Sequence, residues 1–429
     1  MSQVRTRPGL GSALASLRDN PQFRLLWWSN LFFFGGAWSQ TLVLGWIAYE
    51  LTGSEFLVAV FTAVRLAPLL LGPLTGALAD RHHRVGMLII ASGWAFLAVA
   101  VVALLASAGL LSYGAIVIGG LAVGLAQSPS QPARAALVLE LVGRENLSNA
   151  NALNALAMNV TQVIGPALGG AMIAVLGAPT TLWISTLWYA ASLVLLLPLR
   201  RYGRAVTRAS ERMLPLMING FRQIGRNRLA LAVLGVTLAA NILIWPVYQS
   251  FMPVFARDQL GLDAAGLGVL LTCGGVGGLV GSMIIAGLGD FRHKGALFVF
   301  GTAAWGAMWA LFAVSGQVAV SYLLMAAIGV FSAAFGVMQT TLLLITTDEG
   351  LHGRALGLQE LAIGIMPVAA LALGAIAQVV GVGPTTLCSS LLLIITLAAL
   401  AVTEPRLIKI GSQSTRDDDP SAERPARLR

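Results

Sequence analysis

Stretches of about 20 almost wholly apolar residues recur along nearly the whole chain, each long enough to cross roughly 30 Å of hydrocarbon as an α-helix. This feature decides what the chain can fold into. In hydrocarbon every backbone N–H and C=O must be bonded within the protein, so only helices and closed barrels span it. Barrel strands alternate in polarity over about ten residues, and these runs do not alternate. The composition agrees. Of the 429 residues, 57% are hydrophobic and 10% charged, against about 25% charged in a soluble domain. The sequence predicts an all-α polytopic membrane protein.

The runs place twelve spans at 25–48, 56–79, 86–109, 112–133, 148–176, 180–199, 229–255, 265–289, 295–315, 318–346, 355–380 and 383–403. Loops rich in Lys and Arg stay on the cytoplasmic side. With both termini inside, 25 of the 27 basic residues fall in cytoplasmic segments, leaving Arg65 and Arg257. The net charge of +9 is therefore the signature of orientation, and nucleic acid is not an expected partner. Residues 1–24 read as a retained cytoplasmic arm. Residues 25–199 and 229–403 read as two six-helix bundles, and 404–429 as a disordered cytoplasmic tail. The segment 200–228, with eight arginines, reads as a basic linker lying on the anionic inner leaflet. Cys273 and Cys388 fall inside apolar runs and imply no disulfide framework.

An internal repeat supports the division. Asp80 and Arg84 follow the second span, and Asp290 and Lys294 follow the eighth, 210 residues on. Arg144 precedes the fifth span and Arg354 the eleventh, at the same offset. Both copies lie on one membrane side, so the halves are related by an axis along the membrane normal.

The stretch Gly76-Ala-Leu-Ala-Asp80-Arg81-His82-His83-Arg84 resembles the loop signature G-x-L-A-D-R-x-x-R of the major facilitator superfamily. Gly165-Pro166-Ala167-Leu168-Gly169-Gly170 resembles that superfamily's exporter motif. The approach to it, from Pro132-Ala133-Arg134 through Arg144 to Asn154, is similar to the branch of bacterial efflux permeases that contains the enterobactin exporter. The resemblance covers residues 20 to 403. It implies the major facilitator fold and alternating access. It also implies export of a small, moderately hydrophobic molecule, drug-like or siderophore-like, by proton antiport. The expected setting is the plasma (inner) membrane, as a monomer, with a small-molecule substrate and the lipid bilayer as partners. Neither a cofactor nor an enzymatic activity is expected, and the proton gradient is the driving force. Uptake, lysophospholipid-type flipping, or a non-transporting receptor or assembly factor share the fold as alternatives.

Each site candidate has a functional and a structural reading. Gly76, Asp80, Arg81 and Arg84, with Asp290, Lys294, Arg144 and Arg354, are a cytoplasmic gate by the resemblance; the alternative is a solvated turn. His82, His83, His293 and His352 lie in turns and suggest no metal site. Arg65 is a basic residue inside an apolar run. Intramembrane charge marks function by default, but an interfacial position or a pair with Glu50 or Glu55 would account for it too. Glu360 either carries the coupled proton or, as the favoured reading, stabilises a helix N-terminus and touches the gating turn. Gly165, Pro166, Gly169 and Gly170 read as both a bend and a packing face. Gly274, Gly277, Gly278 and Gly281 read as packing. Intramembrane Gln40, Gln127, Asn154, Asn159, Gln162, Asn241, Tyr248, Gln249 and Gln339 are candidate cavity linings, with Trp38, Trp245 and Phe251 as aromatic walls.

Overall fold

The computed structural model describes residues 15–71, 82–143, 146–202, 225–288, 291–348 and 351–411, and every regular element among them is helical. The main helical segments are α1 (Pro21–Thr52), α2 (Glu55–Leu66, continued by a 3-10 turn Ala67–Leu71), α3 (Arg84–Ser107) and α4 (Tyr113–Val142). The helix Leu147–Leu196 turns at Gly177 (φ 75°), which separates α5 (147–176) from α6 (178–196). Then come α7 (Arg228–Leu243, extended by Trp245–Ser250 and a π turn Phe255–Gln259), α8 (Ala264–Gly287) and α9 (Lys294–Val314). The last are α10 (Val318–Ile345), α11 (His352–Gly364, continued by Met366–Val380) and α12 (Val382–Thr403). Nine helices among the described residues are long and apolar enough to cross a membrane. Apolar side chains on their outer faces are left bare: Ile90 is 72% exposed and Val379 84%. In water such a surface would be a liability; in lipid it is the expected one.

Helix starts follow from local chemistry. The first turn of a helix leaves N–H groups unbonded, and Asn, Ser and Asp side chains accept from them. Asn20 accepts from Phe23 N at 2.9 Å, Ser54 from Leu57 N at 3.2 Å and Asp263 from Gly266 N at 2.8 Å. His83 Nδ1 does the same for Gly86 N at 3.0 Å, so this turn histidine is a helix cap.

The helices before and after segment 203–224 pack mainly among themselves. α1 lies on α5 and α6, α3 on α4, α8 on α10, and α9 on α10 and α12. Corresponding pairs meet through glycine. Gly124 of α4 sits on the carbonyl of Arg65 in α2, and Gly329 of α10 on the carbonyl of Gly274 in α8. Neither position has room for a Cβ, which is how small residues let membrane helices close up. The two halves meet along α5–α8 and α2–α11.

One expectation is overturned. The fourth span, expected to end at residue 133, continues as α4 to Val142, with Pro129 and Pro132 inside it. Arg134, counted among the cytoplasmic loop residues, is only 3% exposed within the bundle. Arg134 therefore joins Arg65 and the ion-paired Arg84 as a buried arginine.

Candidate functional site

Two ends of the molecule are distinguishable. Arg84, Arg200, Arg201, Arg226, Arg228, Lys294 and Arg406 share the basic end. At the opposite end the halves are sealed together. Tyr49 Oη (α1) donates to Asp258 Oδ2 beyond α7, and Ser54 Oγ donates to Gln378 Oε1 of α11 at 2.6 Å. Phe56 N reaches the same Gln378 oxygen at 3.3 Å. Gly374 of α11 abuts Ala59 and Phe56, and Gly170 of α5 lies on Ala264 and Gly268 of α8. The exporter-motif glycines divide this work. Gly165 and Gly169 face Trp38 and Ser39 of α1, while Gly170 faces the other half. Pro166 lines a small recess with Trp38, Thr41, Tyr248 and Gln249.

Above this seal a cavity of about 320 Å³ opens between α5 and α7–α10. Its walls are Trp245 and Tyr248 of α7, Trp305 and Trp309 of α9, and Gly274, Gly275 and Gly278 of α8, with Ile328, Ser332 and Val337 of α10. Asn159 and Gln162 of α5 face it from the other half. Trp245 meets Trp305 edge-on with centroids 5.7 Å apart, and Tyr248 meets Trp309 at 6.4 Å, an aromatic geometry that is favourable in itself. No charged residue is among its described lining residues. The volume lies in the range of small-molecule pockets.

The other half is different in kind. Arg65, 7% exposed, stands ten residues from the first residue of α2, about 15 Å along the helix. It makes no ion pair with Glu50, Glu55 or any other carboxylate among the described residues. Nearby, Tyr189 Oη donates to Gln40 Oε1 at 3.1 Å. Arg134 lies deeper toward the basic end. Its NH1 donates to Ser29 Oγ at 3.2 Å and to Asn30 Oδ1, and its guanidinium lies 4.8 Å from the centroid of Phe33, close enough for a cation–π contact. Asn30 Nδ2 in turn donates to Asn154 Oδ1 at 2.9 Å. Arg134 Nε and NH2 are buried without partners.

Of the expected linings, Tyr248, Asn159, Gln162 and Trp245 reach the cavity, and Gln249 and Trp38 line the smaller recess. Gln40 is packed against Tyr189. Asn241 donates to Thr237 O in its own helix at 2.8 Å. Phe251 is core, at 1% exposure, and Gln127 and Gln339 are half-buried outside the cavity lining. Gly277 and Gly281 pack against α10 as expected, whereas Gly274 and Gly278 also line the cavity. Trp305 and Trp309 were not among the expected aromatic walls, which were Trp38, Trp245 and Phe251.

Of the expected gate, Gly76, Asp80, Arg81, Asp290 and Arg144 lie outside the described residues. Arg84 pairs with Glu140 at 3.2 Å, joining α3 to α4. Lys294 opens α9, and Arg354 lies in the first turn of α11. Glu360 is exposed. It lies one turn before Gly364, which abuts Leu70 beside the start of the undescribed segment 72–81. His82, His83, His293 and His352 form no metal-binding group with other ligating residues among the described residues.

Comparison with known proteins adds the following. The family model described as transmembrane secretion effector matches residues 11–427. The staphyloferrin A transporter of Staphylococcus aureus is 22% identical over 377 residues, covering 84% of this chain and 92% of that protein. The multidrug efflux pump Tap of Mycolicibacterium fortuitum is 26% identical over 381 residues, covering 86% and 92%. The enterobactin exporter EntS of Shigella flexneri is 30% identical over 290 residues, covering 66% and 67%. Among solved structures, a peptide transporter POT in complex with alafosfalin superposes with a TM-score of 0.77 at 10% identity, covering 95% of this chain and 98% of that one. The nucleoside transporter NupG gives 0.68 at 13% identity, covering 91% and 99%. At these identities the structural matches bear on the fold alone.

Proposed function

Because this chain belongs to the transmembrane secretion effector family of the major facilitator superfamily, we propose that it is a secondary active exporter of small, moderately hydrophobic molecules, driven by proton antiport. The observation that carries this reading is the aromatic, uncharged cavity between α5 and α7–α10, set above a seam joining the halves. Four aromatic rings offer large apolar area, and Asn159 and Gln162 offer the few polar contacts that orient a ligand. The seam at the opposite end holds one of two states. In the other, the halves rock on α2–α11 and α5–α8 so that the basic end closes through the turn from Gly76 to Arg84 and its repeat at Asp290 and Lys294. Contacts made in only one state set the equilibrium between the two. The twelve-span, two-bundle arrangement belongs to this reading, in the inner (plasma) membrane with both termini cytoplasmic. Exporters among the relatives support the direction.

The test is flux in proteoliposomes of full-length protein with an imposed pH gradient, screened over ethidium, other cationic dyes and catecholate siderophores. Accumulation that collapses with the gradient is expected. Flux indifferent to the gradient would reject antiport. Asp80→Asn is expected to lower the rate at least tenfold, and an undiminished rate would remove that residue from the gate.

A further inference from the structure

Among the buried polar groups, three stand out apart from the seam: the Arg134 cluster, Arg65 with Gln40 in its vicinity, and the two indole N–H groups of Trp305 and Trp309. The Arg134 nitrogens without partners and both indole N–H groups are fully enclosed. Arg65 is not. Its guanidinium hydrogen-bonds to no described residue, yet none of its nitrogens is among the enclosed unpartnered atoms. Part of the 7% exposure of Arg65 therefore falls on its charged head.

The neighbours sharpen the chemistry. Tyr189 Oη donates to Gln40 Oε1 at 3.1 Å, which fixes that oxygen as an acceptor and leaves Gln40 Nε2 a buried donor with no partner. The vicinity thus offers donors and positive charge, and no carboxylate among the described residues neutralises Arg65. A buried guanidinium left uncompensated is strongly unfavourable, and planar oxyanions match its fork of donors. One turn from Arg65, Thr62 Oγ1 donates to Gln249 O at 3.3 Å, so α2 touches α7 beside Tyr248, a wall of the aromatic cavity. The two halves therefore differ: one carries an unpaired guanidinium on a helix that touches α7, and the other carries the aromatic rings of the cavity.

We propose that Arg65 seats an anionic oxygen group of the cargo, so that the transported molecules are aromatic or apolar anions of the carboxylate class. This inference rests on the export reading and narrows its substrate.

The test is binding of 1-naphthoate against neutral 1-naphthamide to the purified full-length protein in detergent, read by quenching of tryptophan fluorescence. The two probes share shape and aromatic area and differ in charge. A charge-assisted contact corresponds to about tenfold to a hundredfold in affinity, and naphthoate is expected to bind tighter by such a factor. Arg65→Gln is expected to bring the ratio close to one, Arg65→Lys to retain part of it, and exposed Arg201→Gln to leave it unchanged. The ratio within one variant does not depend on how much of the sample is folded. Equal affinities in the wild type, or an undiminished ratio in Arg65→Gln, would overturn the proposal. If the wild type shows no anion preference but moves ethidium down a pH gradient, export stands and the charge assignment falls. If the preference and its Arg65 dependence hold while no probe is moved, the anion seat stands and export falls.

Discussion

Tyr49 and Asp258 come from residues 209 apart in sequence and form one of the bonds that hold the halves together. A hydrogen bond to a carboxylate contributes about 1.5–3 kcal/mol, which on a two-state equilibrium is roughly a tenfold to hundredfold change in population. Tyr49→Phe is therefore expected to raise the fraction open at the opposite end by such a factor. Thr41, in the recess on the cavity side of the seal, is a suitable reporter. With Cys273 and Cys388 replaced by alanine, a cysteine at position 41 should react faster with an impermeant thiol reagent once Tyr49 is Phe. Unchanged reactivity would mean that the bond does not set the equilibrium. Arg134 teaches a different lesson at this scale. Its charge is plain in the sequence, but Phe33, Asn30 and Ser29, which cover it, stand about a hundred residues earlier. Burial by distant residues leaves no local mark.

At the scale of elements, the exporter motif acts through packing. A Cβ on Gly170 would collide with the backbone of α8 at Ala264 and Gly268, and overpacking of this kind costs about 1–3 kcal/mol. Gly170→Val is expected to weaken the α5–α8 contact, lower the melting temperature by several degrees and slow flux at least fivefold. Gly93, with open space around it, should tolerate alanine with neither effect. The spans were legible because a length of apolar sequence is a direct consequence of bilayer thickness. Their ends were less so. The fourth span, placed at 112–133, has Pro129 and Pro132 near its end, and proline removes a backbone donor and clashes with the preceding turn. α4 nevertheless continues through them, with Ser128 Oγ donating across to Pro68 O at 2.8 Å and Ser130 Oγ to Ala126 O at 2.7 Å. Packing against α2 overrides the local preference there.

For the whole molecule, the sequence repeat has a structural counterpart: α4 closes on α2 and α10 on α8, each through a glycine. The chemistry of the two halves is not repeated. α2 carries the buried, unpaired Arg65, whereas the other half contributes Trp245, Trp305 and Trp309 to the cavity. This asymmetry was only half legible, because Arg65 announces itself as a charge in an apolar run while tryptophans in apolar runs are common at membrane interfaces. The account's central claim is that the seam at the opposite end must open for cargo to cross. Ser54 and Gln378 face each other across it. Cysteines at these two positions, with the native cysteines replaced by alanine, can be joined by a short, reducible bis-thiosulfonate reagent in proteoliposomes. Flux under a pH gradient should fall to background when the pair is joined and return on reduction. Flux that continues at the unlinked rate with the pair fully joined would contradict the account.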